Sequence, residues 1–316
     1  MGDPLDARAV IGGGGFGGIG SPRELIGHGT DAIGTSAVLD RCLDLRVTVI
    51  DTAYSYAGGA SQLFIGRWLA ADPTRRSRVA IVDKVGIVEA RDGVATDLSP
   101  ATVKRCAEEG RARMGVAAVD VVMAHEPDPR TPVRSTLGAF ARLVAEGHAR
   151  HWGISNVDAD DLRGWLDEAE RLGVPGPFVV ENELSLLARD DEQEVLPLCR
   201  AHGIRYYAFS PLAGGVLTGK YRRGQEPPPG SRVALRPSTA ATLDAEVLDR
   251  VDVLATRAAS YGVSPAALAL GWVLAQPGVS PIAGVSSPTQ LHVLAEALAL
   301  DLAAEEAVRL ADDVGL

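Results

Sequence analysis

Short apolar runs alternate along the chain with longer segments in which apolar residues recur at helical spacing. The short runs are rich in Val and Ile, and most are continuously apolar rather than alternating with polar residues. Such runs are typical of parallel strands that are buried on both faces. The eight strands predicted in this way are Ala9–Gly13, Val47–Asp51, Val79–Lys84, Val119–His125, Ala149–Ser155, Phe178–Glu181, Ile204–Phe209 and Pro281–Gly284.

The segments between these runs predict crossover helices, because each is long enough to connect two parallel strands. Pro100–Met114 is an example, since Ser99 is a suitable N-cap and a proline fits the first helical turn. The predicted helices are Thr35–Leu45, Pro100–Met114, Thr136–Glu146, Ala159–Leu172, Glu192–His202, Pro265–Leu274 and Thr289–Leu298.

Eight strands that are mostly followed by helices, with no break in composition, favour a closed (β/α)8 TIM barrel in a single domain, residues 1–316. A doubly wound sheet is the alternative. The glycine run Ile11–Gly20 contains the spacing GxGxxG, but loop-like residues follow it. The next strand ends at Asp51, well beyond the roughly 20 residues expected for a ribose-binding acid. We therefore interpret the run as the end of the first barrel strand, where Gly15 and Phe16 bring the backbone close to a flat ligand.

One long irregular segment, Gly214–Thr239, follows the seventh predicted strand and contains three consecutive prolines. Long loops in compact domains are often functional lids. On a barrel this loop would lie over the carboxyl ends of the strands, near a bound cofactor. A disordered insertion is the alternative interpretation.

Composition and charge narrow the class of protein. The 316 residues are 46% hydrophobic with a net charge of −10, which argues against nucleic acid or an anionic membrane as the main partner.

Cys42, Cys106 and Cys199 are far apart and lack metal-binding spacing, which indicates free thiols in a reducing compartment. The N-terminus has no signal-peptide pattern, and no stretch approaches the roughly 18 apolar residues of a membrane span. We therefore expect a cytoplasmic protein without a metal site.

Three neighbouring strands end in residues that can carry chemistry. Asp51 ends the second strand, with Tyr56 five residues later, while Lys84 and His125 end the third and fourth. Singly, such a His is more often structural and such a Lys is usually solvated. Together they are more informative, because the carboxyl ends of barrel strands converge on one mouth, where active sites lie.

These four residues suit protonation of a carbonyl oxygen. A Tyr hydroxyl is too weak an acid near pH 7, and a nearby Lys ammonium lowers its pKa. Asp51 would hold Lys84 by a buried ion pair, and His125 would orient the substrate oxygen. A proton donor over a carbonyl needs a hydride donor beside it.

Six short motifs occur in order along nearly the whole chain. They are "IDTAYSY", "DK", "VVMAHEPD", "EGHARHWGISN", "AFSPLAGGVLTGKY" and "IAGVSSPTQL". They resemble the D-T-A-x-x-Y, T-K, strand-end histidine, G-[VI]-S-N, S-P-L-x-x-G-x-L-T-G-K-Y and I-x-G-x-S-x-x-Q-L motifs of the aldo/keto reductases. The resemblance implies a (β/α)8 barrel and reversible NAD(P)H-dependent carbonyl reduction. It implies Tyr56 as general acid, Lys84 and Asp51 as the residues that tune it, and His125 as the residue that orients the substrate.

The same resemblance implies an NADP cofactor, with NAD as the alternative. Ser155 and Asn156 would bind the nicotinamide carboxamide together with Glu181, and Phe209 would stack on the nicotinamide ring. Residues on the pyrophosphate side would be Ser210, Leu212, Gly214, Leu217 and Lys220. Residues at the adenosine phosphate end would be Gly284, Ser286 and Gln290.

The chain departs from the family pattern at three places. Glu181 stands where the family usually has glutamine, and an ionised carboxylate offers only hydrogen-bond acceptors. The loop Ala57–Gln62, "AGGASQ", replaces G-x-G-x-S-E and so loses an acid, which favours an unusual substrate. The "GVSSPTQ" stretch lacks the basic residue that many members place on the 2′-phosphate. Candidates to replace that residue are Arg222, Arg223 and Arg232.

The leading hypothesis is therefore an NADP-dependent reductase of a small or sugar-like carbonyl compound. One alternative is an NAD-linked sugar dehydrogenase that works in the oxidative direction. A second is a nicotinamide-binding regulatory or scaffold subunit with little turnover. A third, a non-redox barrel enzyme, predicts no saturable binding of nicotinamide nucleotides.

Overall fold

Eight parallel strands close into a barrel in the computed structural model, which describes residues 3–90, 93–236, 243–285 and 287–314. The order around the barrel is β1-β10-β9-β8-β7-β6-β3-β2, and β4 and β5 form a separate antiparallel hairpin. The strands are β1 Val10–Gly12, β2 Val49–Ala53, β3 Ala80–Val85, β4 Ile87–Ala90, β5 Gly93–Thr96, β6 Val119–Ala124, β7 Ala149–Ser155, β8 Val179–Glu183, β9 Arg205–Phe209 and β10 Val279–Gly284.

Helices surround the barrel. In chain order they are α1 Ala32–Asp44, α2 Ala60–Ala71, α3 Pro100–Met114, α4 Val133–Ala145, α5 Ala159–Leu172, α6 Val195–His202, α7 Arg232–Leu235, α8 Ala245–Tyr261, α9 Pro265–Leu274, α10 Leu291–Ala299 and α11 Ala304–Val314. Side-chain caps fix several of their starts, as when Ser99 accepts a hydrogen bond from the Thr102 amide at α3. Gly115 ends α3 with a positive φ of 67°, a conformation that glycine adopts without steric cost.

The predicted (β/α)8 TIM barrel is confirmed, and every predicted strand forms with small shifts at its ends. The predicted helices also form, with ends that shift by up to about a turn. The prediction omitted the hairpin β4–β5 and helices α2, α7, α8 and α11. A start signal for α8 was available in the sequence, because Asp244 caps it by accepting from the Val247 amide.

Alternation along each strand divides the core into two parts. Side chains that point into the barrel form a small cluster closed at the amino end of the strands by Leu5. The other members of this inner cluster are Val10, Val49, Ala80, Val82, Val121, Met123, Val179, Tyr207 and Ile282. The remaining strand side chains pack outward against the helices in a larger core. Cys42, Cys106 and Cys199 are free and buried, as predicted.

The long segment after β9, the seventh barrel strand, is folded against the barrel over its described part. A 3-10 helix spans Ala213–Thr218, and the short helix α7 follows later. Tyr221 and Val233 are buried, and the Val233 amide donates to the Tyr221 hydroxyl at 3.4 Å. The interpretation as a disordered insertion is therefore wrong for residues 214–236, whereas residues 237–239 lie outside the described ranges.

Candidate active site

Strand alternation places the predicted catalytic side chains at the carboxyl-terminal mouth of the barrel. Asp51 lies two residues after Val49 of the inner cluster, and Lys84 lies two residues after Val82. Glu181 follows Val179 in the same way on β8. Because side chains two apart on a strand share a face, these charged groups cap the apolar interior.

Lys84 forms a buried ion pair with two carboxylates. Its Nζ donates to Asp51 Oδ1 at 2.8 Å and Oδ2 at 2.7 Å, and to Glu181 Oε1 at 2.5 Å. The three side chains are no more than 3% exposed. Burial alone would lower the pKa of Lys84, but the charges of Asp51 and Glu181 raise it well above its ordinary value. The ammonium therefore stays charged away from water.

Tyr56 and His125 face each other beside this ion pair. Their ring centroids are 5.4 Å apart in an edge-on arrangement, and Lys84 Nζ lies 5.2 Å from the Tyr56 ring centroid. Burial, with a further contribution from the Lys84 charge, lowers the pKa of His125 well below its usual range. His125 Nδ1 has no hydrogen-bond partner among the described residues. A neutral imidazole with one unpartnered ring nitrogen therefore lies beside Tyr56.

Burial also raises the pKa of Tyr56 above its ordinary value, although the residue keeps part of its surface in solvent. Lys84 acts in the expected direction and lowers this pKa, but the negative charges of Asp51 and Glu181 oppose it. The net effect is the reverse of the sequence-based expectation of a lowered pKa. Its main physical cause is burial of the phenol, which the Asp51 and Glu181 charges reinforce and the Lys84 charge only partly offsets.

The backbone at the barrel mouth adopts unusual conformations. Among the described residues, five that are not glycine have positive φ, and four of these follow the ends of barrel strands. They are Ala57, Asn156, Ser210 and Ala213, with φ between 47° and 59°. Such conformations cost energy and cluster at functional sites. They support the assignment of this end of the barrel as the active site.

The glycine run forms a narrow backbone turn beside Asp51 and Tyr56. A Cβ atom at Gly13 would lie 2.8 Å from the Asp51 carbonyl oxygen, and one at Gly15 would lie 2.8 Å from the Val285 carbonyl oxygen. Only glycine fits such approaches without a shift of the backbone. The Phe16 side chain, by contrast, is fully buried in the outer core.

Ser61, which the sequence analysis did not single out, holds this turn in place. Its hydroxyl donates to the Gly13 carbonyl at 2.9 Å and lies 2.8 Å from the Thr52 hydroxyl. All three residues are buried. The family pattern G-x-G-x-S-E has a serine at this position, and "AGGASQ" keeps that serine although the glutamate after it is lost. The retained serine was the sequence signal that could have identified Ser61.

The residues expected at the nicotinamide end lie together. Ser155 and Glu181 are register partners in neighbouring strands β7 and β8. Asn156 Nδ2 donates to the His125 carbonyl at 2.9 Å and to Ser155 Oγ at 3.0 Å. Phe209 ends β9 and packs against the inner cluster while remaining partly exposed. Glu181 Oε2 is buried without a hydrogen-bond partner in the described part of the chain.

The residues expected at the phosphate end follow β9 and β10. Ser210, Leu212 and Gly214 lie at or near the 3-10 helix Ala213–Thr218, and Lys220 is exposed. Leu217 is fully buried, so its side chain belongs to the outer core.

Gly284 pairs with Gly12 in the β1–β10 ladder, which brings the last strand beside the glycine run. Gln290 ends a 3-10 helix before α10, and Ser286 lies outside the described residues.

The site fits a flat, polar organic cofactor better than a metal ion. Within residues 3–90, 93–236, 243–285 and 287–314, no group of His, Cys, Asp and Glu side chains could hold a metal. Glu181 and His125, which lie at the mouth, each have a buried polar atom without a hydrogen-bond partner among the described residues, and the glycine turn lies beside Asp51 and Tyr56. Such atoms are expected where a ligand completes the hydrogen bonding.

A model described as the aldo/keto reductase family matches residues 15–312. The chain belongs to the aldo/keto reductase family. It is 31% identical over 309 residues to an NADH-specific methylglyoxal reductase of Escherichia coli, covering 89% of this chain and 92% of the relative.

Two further proteins are similar to this chain over most of its length. A putative voltage-gated potassium channel subunit beta of Schizosaccharomyces pombe is 32% identical over 275 residues, covering 84% of this chain and 78% of the relative. A solved glycerol dehydrogenase from Gluconobacter oxydans superposes with a TM-score of 0.83 at 25% identity, covering 97% of this chain and 91% of that one. Among the described residues, no helix is long and apolar enough to cross a membrane.

Proposed function

We propose that this aldo/keto reductase interconverts a small carbonyl compound and its alcohol with a nicotinamide dinucleotide, and that Tyr56 transfers the proton. The observation that carries the proposal is the edge-on Tyr56–His125 pair, which lies directly against the buried ammonium of Lys84. This arrangement places a proton donor, a neutral orienting imidazole and a fixed positive charge at one mouth.

The chemistry of the bound cofactor is hydride transfer to or from the substrate carbon. In reduction, the Tyr56 hydroxyl donates its proton to the substrate oxygen as negative charge develops there. His125, held neutral by burial, positions that oxygen through its ring nitrogen. Lys84 stabilises the phenolate that remains, and Asp51 keeps the ammonium in place. In oxidation the same proton moves in the reverse direction.

The residues that would hold the cofactor are those assembled around the mouth. Ser155, Asn156 and Glu181 would meet the carboxamide, and Phe209 would cover one face of the ring. The glycine turn and the residues after β9 and β10 would meet the phosphates, because exposed backbone amides bind phosphate groups.

The preference between NADP and NAD stays a prediction. Arg222 and Arg223 of the long segment each form an ion pair with α8, to Asp252 at 3.9 Å and to Asp249 at 2.6 Å. Both pairs are exposed and therefore weak, so either guanidinium can be redirected to a 2′-phosphate at small cost. We expect NADPH to be used with NADH accepted, and parallel kinetics with both cofactors test this.

The decisive variant is Tyr56→Phe, with Tyr54→Phe as the matched control. Loss of the Tyr56 hydroxyl should lower kcat by about 10²- to 10⁴-fold and leave cofactor affinity nearly unchanged. The Tyr54 hydroxyl donates to Glu109 of α3 at 2.8 Å, away from the mouth, so its loss should leave kcat within a few fold. Turnover would be followed as NAD(P)H absorbance with aldehydes, ketones, sugar lactols and methylglyoxal.

The similarity to potassium channel beta subunits supports a second candidate function, a nicotinamide-binding regulatory subunit. That role predicts saturable cofactor binding with little turnover on every carbonyl compound and alcohol in the screen. Equal kcat for Tyr56→Phe and the unaltered protein would contradict the enzymatic role. Three buried free thiols support a reducing compartment such as the cytoplasm as the place of action.

A further inference from the structure

The active site contains one more carboxylate than its ammonium needs. Asp51 already engages Lys84 Nζ with both oxygens, at 2.8 and 2.7 Å. Glu181 adds a third acceptor at 2.5 Å through Oε1, and its Oε2 has no partner among the described residues. The family motif has glutamine at this place, and an amide oxygen would accept the same hydrogen bond without a charge. The hydrogen bond therefore does not explain the carboxylate.

The fixed charges of the site do not balance. Lys84 contributes one positive charge, and Asp51 and Glu181 contribute one negative charge each when ionised. Tyr56 and His125 are both neutral near pH 7, because burial raises the pKa of the phenol and lowers the pKa of the imidazole. The buried cluster therefore has a net charge of about −1 when both carboxylates are ionised, counted from ordinary side-chain charges.

The excess negative charge is costly as the cluster stands. Burial, and next the Glu181 charge, raise the pKa of Asp51 well above its ordinary value, although Lys84 opposes both effects. A buried charge without a full partner is destabilising, and a ligand that supplies the missing positive charge removes that cost.

We infer that Glu181 makes this site selective for the oxidised form of the nicotinamide cofactor, whose pyridinium ring carries a positive charge that the reduced ring lacks. The inference rests on the proposed function, which places the ring beside Glu181. An enzyme cannot change the overall equilibrium of its reaction. It can, however, bind one form of its cofactor more tightly than the other. The consequence is an enzyme that captures NAD(P)+ more readily than NAD(P)H, that holds its bound complexes toward NAD(P)+ and alcohol, and that releases NAD(P)+ slowly.

The test is the ratio of dissociation constants for the two forms of one cofactor. NAD(P)H binding would be measured from its own fluorescence, and NAD(P)+ binding from displacement of NAD(P)H. Glu181→Gln keeps the shape and the hydrogen bond to Lys84 but removes the charge. It should weaken NAD(P)+ relative to NAD(P)H by on the order of 10-fold, since a unit charge a few ångströms away in a partly buried site has a large effect.

Glu183→Gln is the matched control. Glu183 lies at the end of the same strand and is exposed. Partial burial raises the pKa of its carboxyl group, and the charge that opposes this effect comes from Arg232, not from Lys84. Its replacement removes one carboxylate near the mouth and should leave the ratio unchanged. An unchanged ratio in Glu181→Gln, with tight binding of both forms, would overturn the inference and leave the proposed function intact. Absence of saturable binding of either form to the unaltered protein would overturn both.

A second measurement uses the unaltered protein and so does not depend on how a variant folds. The titratable groups that face Glu181 are Asp51, Lys84, Tyr56 and Tyr207. Burial raises the pKa of both tyrosines, which therefore stay neutral. Burial, and next the Glu181 charge, raise the pKa of Asp51, so the measurement follows the ionisation of Asp51. The affinity for NAD(P)+ relative to NAD(P)H should rise with pH as Asp51 ionises and the cluster gains its excess negative charge. A ratio independent of pH from 5 to 8 in the unaltered protein would contradict the inference.

Discussion

Asp83 and Lys84 are neighbours on β3, both buried, yet they lie in opposite environments. Lys84 points into the barrel, where it meets Asp51 and Glu181. Asp83 points outward, where Oδ1 accepts from Gln62 Nε2 of α2 at 2.7 Å. Gln62 Oε1 in turn accepts from Arg113 Nη1 of α3 at 2.9 Å. One strand thus supports two buried polar clusters, one on each face.

The two clusters differ in how well their polar atoms are satisfied. The polar cluster at the barrel mouth, formed by Asp51, Lys84, Glu181, Tyr56 and His125, leaves Glu181 Oε2 and His125 Nδ1 without partners in the described part of the chain. In the outer cluster, the amide of Gln62 is used at both ends, and Arg113 also donates to the Tyr54 carbonyl at 3.2 Å. Unsatisfied buried atoms indicate a place where a ligand belongs, whereas a satisfied chain indicates a structural link between strand and helices.

The outer cluster also explains a departure from the family motifs. The family has glutamate where this chain has Gln62, and threonine where this chain has Asp83. The structure shows that these two residues contact each other. A carboxylate is therefore still present at this contact, but it comes from the strand instead of the helix.

The largest difference between the clusters should appear when each loses its cation. Lys84→Met leaves Asp51 and Glu181 as unpaired buried carboxylates and should lower the free energy of unfolding by about 3–5 kcal/mol. The Arg113 guanidinium is partly exposed, so Arg113→Met should lower the free energy of unfolding by only about 1–2 kcal/mol. Urea unfolding followed by circular dichroism measures both. Equal losses of unfolding free energy would show that the Lys84 ammonium is no more strongly buried than the Arg113 guanidinium.

The next largest effect concerns pH. Burial raises the pKa of Asp83 to about 7 despite the Gln62 hydrogen bond and the charges of Arg113 and Lys84. The folded protein therefore binds a proton there that the unfolded chain has already lost above about pH 4. As pH rises from about 4 to 7, Asp83 should reduce the free energy of unfolding by up to about 4 kcal/mol.

Asp83→Asn keeps the acceptor for Gln62 and cannot ionise, so it isolates this effect. The variant should gain stability relative to the unaltered protein as pH rises through this window, and the two should converge near pH 4. Unfolding measured at several pH values tests this. A stability difference that does not change between pH 4 and pH 8 would contradict the assigned burial of the carboxyl group.

The smallest effects should come from adding one methyl group near each cluster. A Cβ atom at Gly110 would lie 2.5 Å from Asp83 Oδ2 and 2.6 Å from Gln62 Nε2, so Gly110→Ala should cost about 1–3 kcal/mol. A Cβ atom at Gly14 would lie 3.7 Å from the Tyr56 ring, which is an ordinary contact. Gly14→Ala should therefore change stability by less than about 0.5 kcal/mol. A larger loss from Gly14→Ala than from Gly110→Ala in thermal unfolding would refute this ranking.

The barrel could be predicted from the sequence because its strands are local patterns. Continuous Val- and Ile-rich runs identify strands that are buried on both faces, and the inward face continues to the residue two positions later. By that rule Asp51 lies on the same inward face as Val49, and Lys84 lies on the same face as Val82. The rule therefore predicts which reactive side chains lie together at the mouth of the barrel. Helix α2 is not among the predicted helices, and its first residues, Ala60–Gln62, lie within the loop Ala57–Gln62 that follows Tyr56.

The sequence by itself determined the fold and the family and predicted that Asp51, Lys84 and His125 end neighbouring strands, because strand patterns and short motifs depend on local stretches of chain. Only the tertiary structure decided how those residues share charge. Lys84 and Glu181 are 97 positions apart, yet they contact each other in the barrel mouth. Burial of the Tyr56 phenol there, reinforced by the charges of Asp51 and Glu181, raises its pKa instead of lowering it. The partner of Asp83 was equally hidden, since burial and hydrogen bonding between distant segments arise only when strands and helices pack together.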